Sequence, residues 1–183
     1  MSLLKIARMG HPVLLGRADP VADPEAPEIR RLVADMIETM LDAGGVGLAA
    51  PQVHVPLRLF VFHLPPGRGA EGLTIAPTAV INPKIVPDGE AMELGWEGCL
   101  SIPGLRGAVP RHAKVGYGGV DARGEPIKAF AEGFHARILQ HENDHLNGVL
   151  YPMRVSDFRL FGFDEELARR QAPTAESDTG EPR

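Results

Sequence analysis

GFHARILQHENDHLNG, Gly133 to Gly148, decides how this chain is read. Phe134, Ile138, His141 and His145 follow one another in steps of four, three and four, the spacing of a single helix face. A helix over 133–147 is therefore expected, with Gly148 as its cap. Residues four apart lie about 40° apart in projection and one turn above each other. The two imidazoles continue an apolar stripe, so they should point inward. Buried imidazoles need partners, because an unpaired polar group costs a few kcal/mol. Two imidazoles in this relation can share one metal ion, and Glu142 follows His141 directly, giving the pattern H-E-x-x-H. There a carboxylate can carry the proton of a water activated by the metal.

A third ligand is needed, and two residues offer themselves. Glu165, in FGFDEEL, lies beyond His145 at a distance that resembles a thermolysin-like metalloendopeptidase with zinc. Cys99, the one cysteine, lies in EGCLS just after an expected strand. A thiolate there would complete a Cys-His-His set with a fourth position open. Glu165 belongs to a charged stretch that reads as a solvated helix face, so Cys99 is favoured. A lone cysteine also excludes an internal disulfide.

Outward from this helix the chain reads as α+β: mixed or antiparallel sheets packed around the central helix that carries H-E-x-x-H. PEIRRLVADMIETMLDAGG predicts a helix with Ile29, Leu32, Val33, Met36, Ile37, Met40 and Leu41 on its core face and Gly44–Gly45 at its end. Strands are expected at 57–64, at 78–87 with Pro83 marking an edge or a break, and at 90–96. A hairpin is expected from 113–120 and 125–132, turning at Asp121 to Gly124. A loop is expected at 65–72 and a third helix from Ser156 or Asp157 to about Arg170. Residues 1–170 read as one catalytic domain, and 171–183, without apolar anchors, as a disordered tail.

The 183 residues suit one domain, with 44% hydrophobic and 23% charged residues. The net charge of −5 and the absence of a basic run give no sign of a nucleic-acid surface. No run approaches the roughly 18 apolar residues of a membrane span. MSLLKIARMGHPVLLGR lacks the apolar core of a signal peptide. The expected location is therefore cytoplasmic.

Three segments together, GVGLAAPQ (45–52), EGCLS (97–101) and QHENDH (140–145), resemble the signature motifs of the peptide deformylase family. The resemblance extends from about residue 3 to 165. It implies a hydrolase that removes the formyl group from the N-terminal formyl-methionine of new polypeptides and releases formate. It implies one divalent metal on Cys99, His141 and His145, natively iron(II), with zinc, nickel or cobalt able to replace it. It implies Glu142 as general base and acid for a water attacking the formyl carbon, with the Gln52 amide and the Leu100 N–H stabilising the oxyanion. The substrate is expected to add as a strand along Gly45, Val46 and Gly47, with a further bond to Gly98, and to place its methionine against Phe134 and Ile138. Nascent formyl-methionyl peptides are the expected partners, with transient contact at the ribosome. A relative that binds formyl peptides or metal without turnover is the non-enzymatic alternative; Glu142 and Gln52, which merely holding an ion does not require, speak against it. Glu97 is expected to be partly buried and paired with Arg106 or Arg111, and Asp144 to orient a histidine. His11, His54, His63, His112 and His135 fit no pattern.

Overall fold

A computed structural model describes residues 2–69 and 73–171. In chain order it contains α1 (Pro27–Asp42), β1 (Gly47–Ala49), β2 (Leu59–Leu64), β3 (Ile75–Pro87), β4 (Met92–Cys99), β5 (Ile102–His112), β6 (Lys114–Val120), β7 (Pro126–Glu132), α2 (Gly133–Leu146), β8 (Phe161–Phe163) and α3 (Asp164–Gln171). Single 3-10 turns lie at Pro12–Leu14, Ala50–Val53, Tyr151–Arg154 and Phe158–Leu160.

Every named strand pairing is antiparallel. One sheet has the order β1-β2-β3-β6-β7 and the other β4-β5-β8. The LFVFHL run of β2 is apolar without alternation because both of its faces are covered. Phe60, Phe62 and Leu64 pack with Ile138, Leu139 and Leu146 of α2. Leu59 and Val61 pack with Val33, Met36 and Met40 of α1. Truncating an aromatic ring in such a core typically costs about 3–5 kcal/mol. The smaller sheet closes over the other side of α2, with Ile102 and Val109 in a cluster with Leu14, Leu150 and Tyr151. Helix α2 is thus buried on most of its circumference, and even Arg137, Glu142 and Asp144 are out of solvent.

The expected α1 face is largely as read, but Leu41 is 47% exposed, and Leu32 and Ile37 are only partly buried. Its place is taken by Asp35 and Thr39, which are buried because the N-terminal segment lies on them. The Ser2 N–H donates to Asp35 and the Leu4 N–H to Thr39, both at 2.9 Å. Pro83 marks a break and not an edge: β3 lies between β2 and β6, with a register shift between Ile81 and Lys84 and Asn82 at φ 52°. The hairpin turn has Gly124 at φ 81°, and β6 pairs with β7 as expected.

The third helix begins later than expected. Asp157 caps the short turn at Phe158–Leu160 by accepting from the Arg159 N–H, and Phe161–Phe163 then pairs with Leu105–Gly107. That pairing takes the segment as strand, so α3 starts only at Asp164, with Asp164, Glu165 and Glu166 in its first turn. Strand β5 is not evident from the sequence because Pro103 and Pro110 interrupt it. Both lie outside the three residues that β8 pairs, so neither missing N–H breaks that ladder. The expected tail lies outside the described residues apart from Gln171, as do residues 70–72 of the expected loop.

Candidate active site

The two histidines and the cysteine come together. Cys99 is the last residue of β4, held there by its pairing with Ile102 across the turn at Leu100–Ser101. Its Sγ lies 3.3 Å from His145 Nε2, and the donor atoms of Cys99, His141 and His145 all lie within 4.8 Å of one another. His141 is 9% exposed and His145 1%. Glu165 is not among these three; it is exposed on α3.

The second nitrogen of His141 is fixed by Glu97, whose Oε2 accepts from Nδ1 at 2.8 Å. A carboxylate cannot donate, so the proton is on Nδ1, and Nε2 is left to act as a ligand. Glu97 is fully buried and takes a two-pronged pair from Arg111, with both bonds at 2.9 Å. It also accepts from Arg137 Nη1 at 2.9 Å. Burial alone would raise this carboxyl, but the hydrogen bonds from Arg111 and His141 outweigh it and hold the group well below the usual range. Of the two arginines expected, Arg111 is the partner. Arg106 instead reaches Asp164 at 3.2 Å. Arg137 carries no sequence signal of its own; Gly95 makes room for it, since a Cβ there would meet its guanidinium at 2.8 Å.

Asp144 does not orient a histidine. It pairs with Arg111 and with Arg154, the latter at 2.6 Å through Nη2, and so braces Arg111 from behind. His145 Nδ1 is buried without a hydrogen-bond partner.

Glu142 is buried, and its Oε2 has no partner. Desolvation pushes its pKa up to about 7. A nearby dication would counter that shift by favouring the carboxylate. The glycine of β1 is required here: a Cβ on Gly47 would overlap the Glu142 carboxylate. Gln52, in the turn after β1, is 1% exposed. Its Oε1 accepts from the Ala49 N–H at 2.8 Å, which turns Nε2 toward Cys99 Sγ at 3.4 Å and Ser101 Oγ at 3.1 Å.

Gln52, Glu97, Cys99, His141 and Glu142 line a cleft of about 440 Å³. Gly45, Val46, Gly47, Gly98, Leu100, Phe134 and Ile138 line it as well, with the Leu100 side chain close against Gly45. Both Phe134 and Ile138 also pack in the core. His63 braces Gly45 and Val46, with its Nε2 3.0 Å from the Gly45 carbonyl and its backbone N–H donating to the Val46 carbonyl at 3.0 Å. The expected loop supplies Pro65 and Arg68 to the cleft, with the Arg68 guanidinium 4.3 Å above the Phe134 ring.

A sequence model described as polypeptide deformylase matches residues 3–160. The chain belongs to the peptide deformylase family. Peptide deformylase 2 of Ralstonia nicotianae is 51% identical over 163 residues, covering 88% of this chain and 92% of the relative. Peptide deformylase 1 of Bordetella pertussis is 49% identical over 172 residues, covering 93% and 98%. Among solved structures, the Thermotoga maritima deformylase superposes with a TM-score of 0.77 at 39% identity, over 86% of this chain and all of that one. A Met-Ala-Ser-bound class I type b deformylase from Acinetobacter baumannii superposes at 0.78 with 37% identity, over 84% and 99%. Deformylases are metal-dependent hydrolases of the formyl group on N-terminal formyl-methionine, and that is this chain's activity. The endopeptidase reading built on Glu165 and the non-enzymatic reading both give way to it. No helix among the described residues is long and apolar enough to cross a membrane.

Proposed function

We propose that Cys99, His141 and His145 hold one divalent ion, iron(II) natively and exchangeable for zinc, nickel or cobalt, within a single catalytic domain spanning residues 1–170. The donor set suits any of these metals, since all accept imidazole and thiolate. The observation that supports the assignment most is the convergence of three donor atoms within 4.8 Å of one another, with Cys99 and His141 lining the cleft beside a carboxylate that has a free oxygen. A divalent ion held there supplies Lewis acidity and acidifies a water molecule.

The chain's own groups do the rest. Glu142 takes the proton of the attacking water and delivers it to the departing amine, and its Oε2, without a hydrogen-bond partner, is free for both transfers. Gln52 Nε2 and the Leu100 N–H donate to the oxygen that becomes negative as the formyl carbon turns tetrahedral. The bond from Ala49 to Gln52 Oε1 prevents the amide from presenting the wrong end. The peptide lies along β1, an edge strand of its sheet. The Val46 carbonyl already accepts from His63, so the Val46 N–H is the group it has to offer, with Gly98 also lining the cleft. The methionine side chain lies against Phe134 and Ile138. Peptide ligands such as the Met-Ala-Ser bound by the Acinetobacter enzyme fit an extended track of this kind. The setting is the cytoplasm, on nascent chains met at the ribosome.

Formate release from formyl-Met-Ala-Ser by anaerobically purified enzyme tests this reading. Gln52→Ala should lower kcat/KM by about 10²-fold, through kcat more than KM. A purified, metal-loaded enzyme that releases no formate, or a Gln52→Ala variant as fast as the parent, would contradict it.

A further inference from the structure

We propose that Asp164 sets the charge preference of the cleft for substrate residues downstream of the formyl-methionine, which rests on the active-site reading above and concerns the outer end of that site. The Arg106 stem lies against Gly98, the wall residue assigned to the peptide backbone: a Cβ built on Gly98 would meet Arg106 Cγ at 3.8 Å and Nε at 4.0 Å. A cation is therefore placed over the substrate track. Asp164 takes hold of it, with Oδ1 3.2 Å from Arg106 Nε, and both side chains are about half exposed, at 58% and 50%.

Both residues line the active cleft, and both also line a neighbouring concavity of about 120 Å³ completed by Trp96, Leu167 and Ala168. The ion pair thus stands between the catalytic floor and an annex built from α3. Glu165 and Glu166 follow Asp164 in the same first turn, and Glu166 pairs with Arg169. With its carboxylate in place, Asp164 cancels the Arg106 charge and repels an acidic side chain leaving the cleft. Without it, Arg106 becomes an acceptor site for acidic residues. The position at which α3 begins, directly after β8 pairs with β5, is what brings Asp164 to this rim.

The test compares formyl-Met peptides that carry Asp or Lys at the second, third or fourth residue. The readout is the ratio of kcat/KM, Asp over Lys, for the parent, Asp164→Asn, Arg106→Gln and the double variant. Asp164→Asn should raise that ratio at one of the positions by about three- to fivefold, the scale of one exposed ion pair. The gain should appear mainly in KM, shrink as salt is raised from about 0.05 to 0.5 M, and vanish in the double variant. A ratio that stays fixed at all three positions, or a loss of rate shared equally by Asp and Lys peptides, would overturn the proposal. A parent enzyme inactive on every formyl peptide would instead overturn the active-site reading on which it rests.

Discussion

Glu142→Gln should lower formate release from a formyl-methionyl peptide by about 10²- to 10⁴-fold, the usual contribution of a positioned acid–base group. The amide keeps the size of the side chain beside Gly47, so the loss is one of proton transfer rather than of packing. Metal content should remain near that of the parent, because Glu142 is not among the three proposed donors. Steady-state kinetics with parallel metal analysis checks both. Near-parental kcat in the loaded variant would remove Glu142 as the proton carrier.

The second large effect is on stability. Glu97→Ala leaves Arg111 and Arg137 facing a hole inside the protein, with His141 Nδ1 deprived of its acceptor. Removing one partner of a buried ion pair typically costs about 3–5 kcal/mol. For a domain of this size that corresponds to a fall in Tm of roughly 6–20 °C. Metal affinity should drop as well, by about 10- to 100-fold, since the proposed ligand His141 loses the group that orients it. Thermal unfolding of the metal-free proteins separates the two effects. An unchanged Tm there would mean that the Glu97 network does not hold the sheet to α2.

What is legible in the sequence depends on how local each signal is. The convergence of the three proposed metal donors is legible because His141 and His145 share a helix face and Cys99 ends a strand among small residues. The antiparallel hairpin at Asp121–Gly124 and the α1 helix announce themselves by turn chemistry and period. Strand β5 does not, because Pro103 and Pro110 read as breakers and the pairing that tolerates them is long-range. For the same reason the sequence places the start of α3 too early: only contact with Leu105–Gly107 turns Phe161–Phe163 into strand. On a helix expected to have a solvent face, an arginine such as Arg137 reads as surface, whereas this helix is covered by a sheet on each side. The one signal that points to its burial is Gly95, small where the guanidinium passes. Asp144 has a carboxylate in the expected helix but faces Arg111 and Arg154 rather than an imidazole, a choice fixed by strand register and invisible to spacing.

Metal stoichiometry of the purified enzyme and of two variants bears most directly on the metal site. One divalent ion per chain is expected in the parent and in Glu165→Gln, while Cys99→Ser should lose the ion or bind it far more weakly, and lose formate release with it. Full metal occupancy and activity in Cys99→Ser, together with loss of the ion in Glu165→Gln, would contradict the assignment of the sulfur as the third ligand.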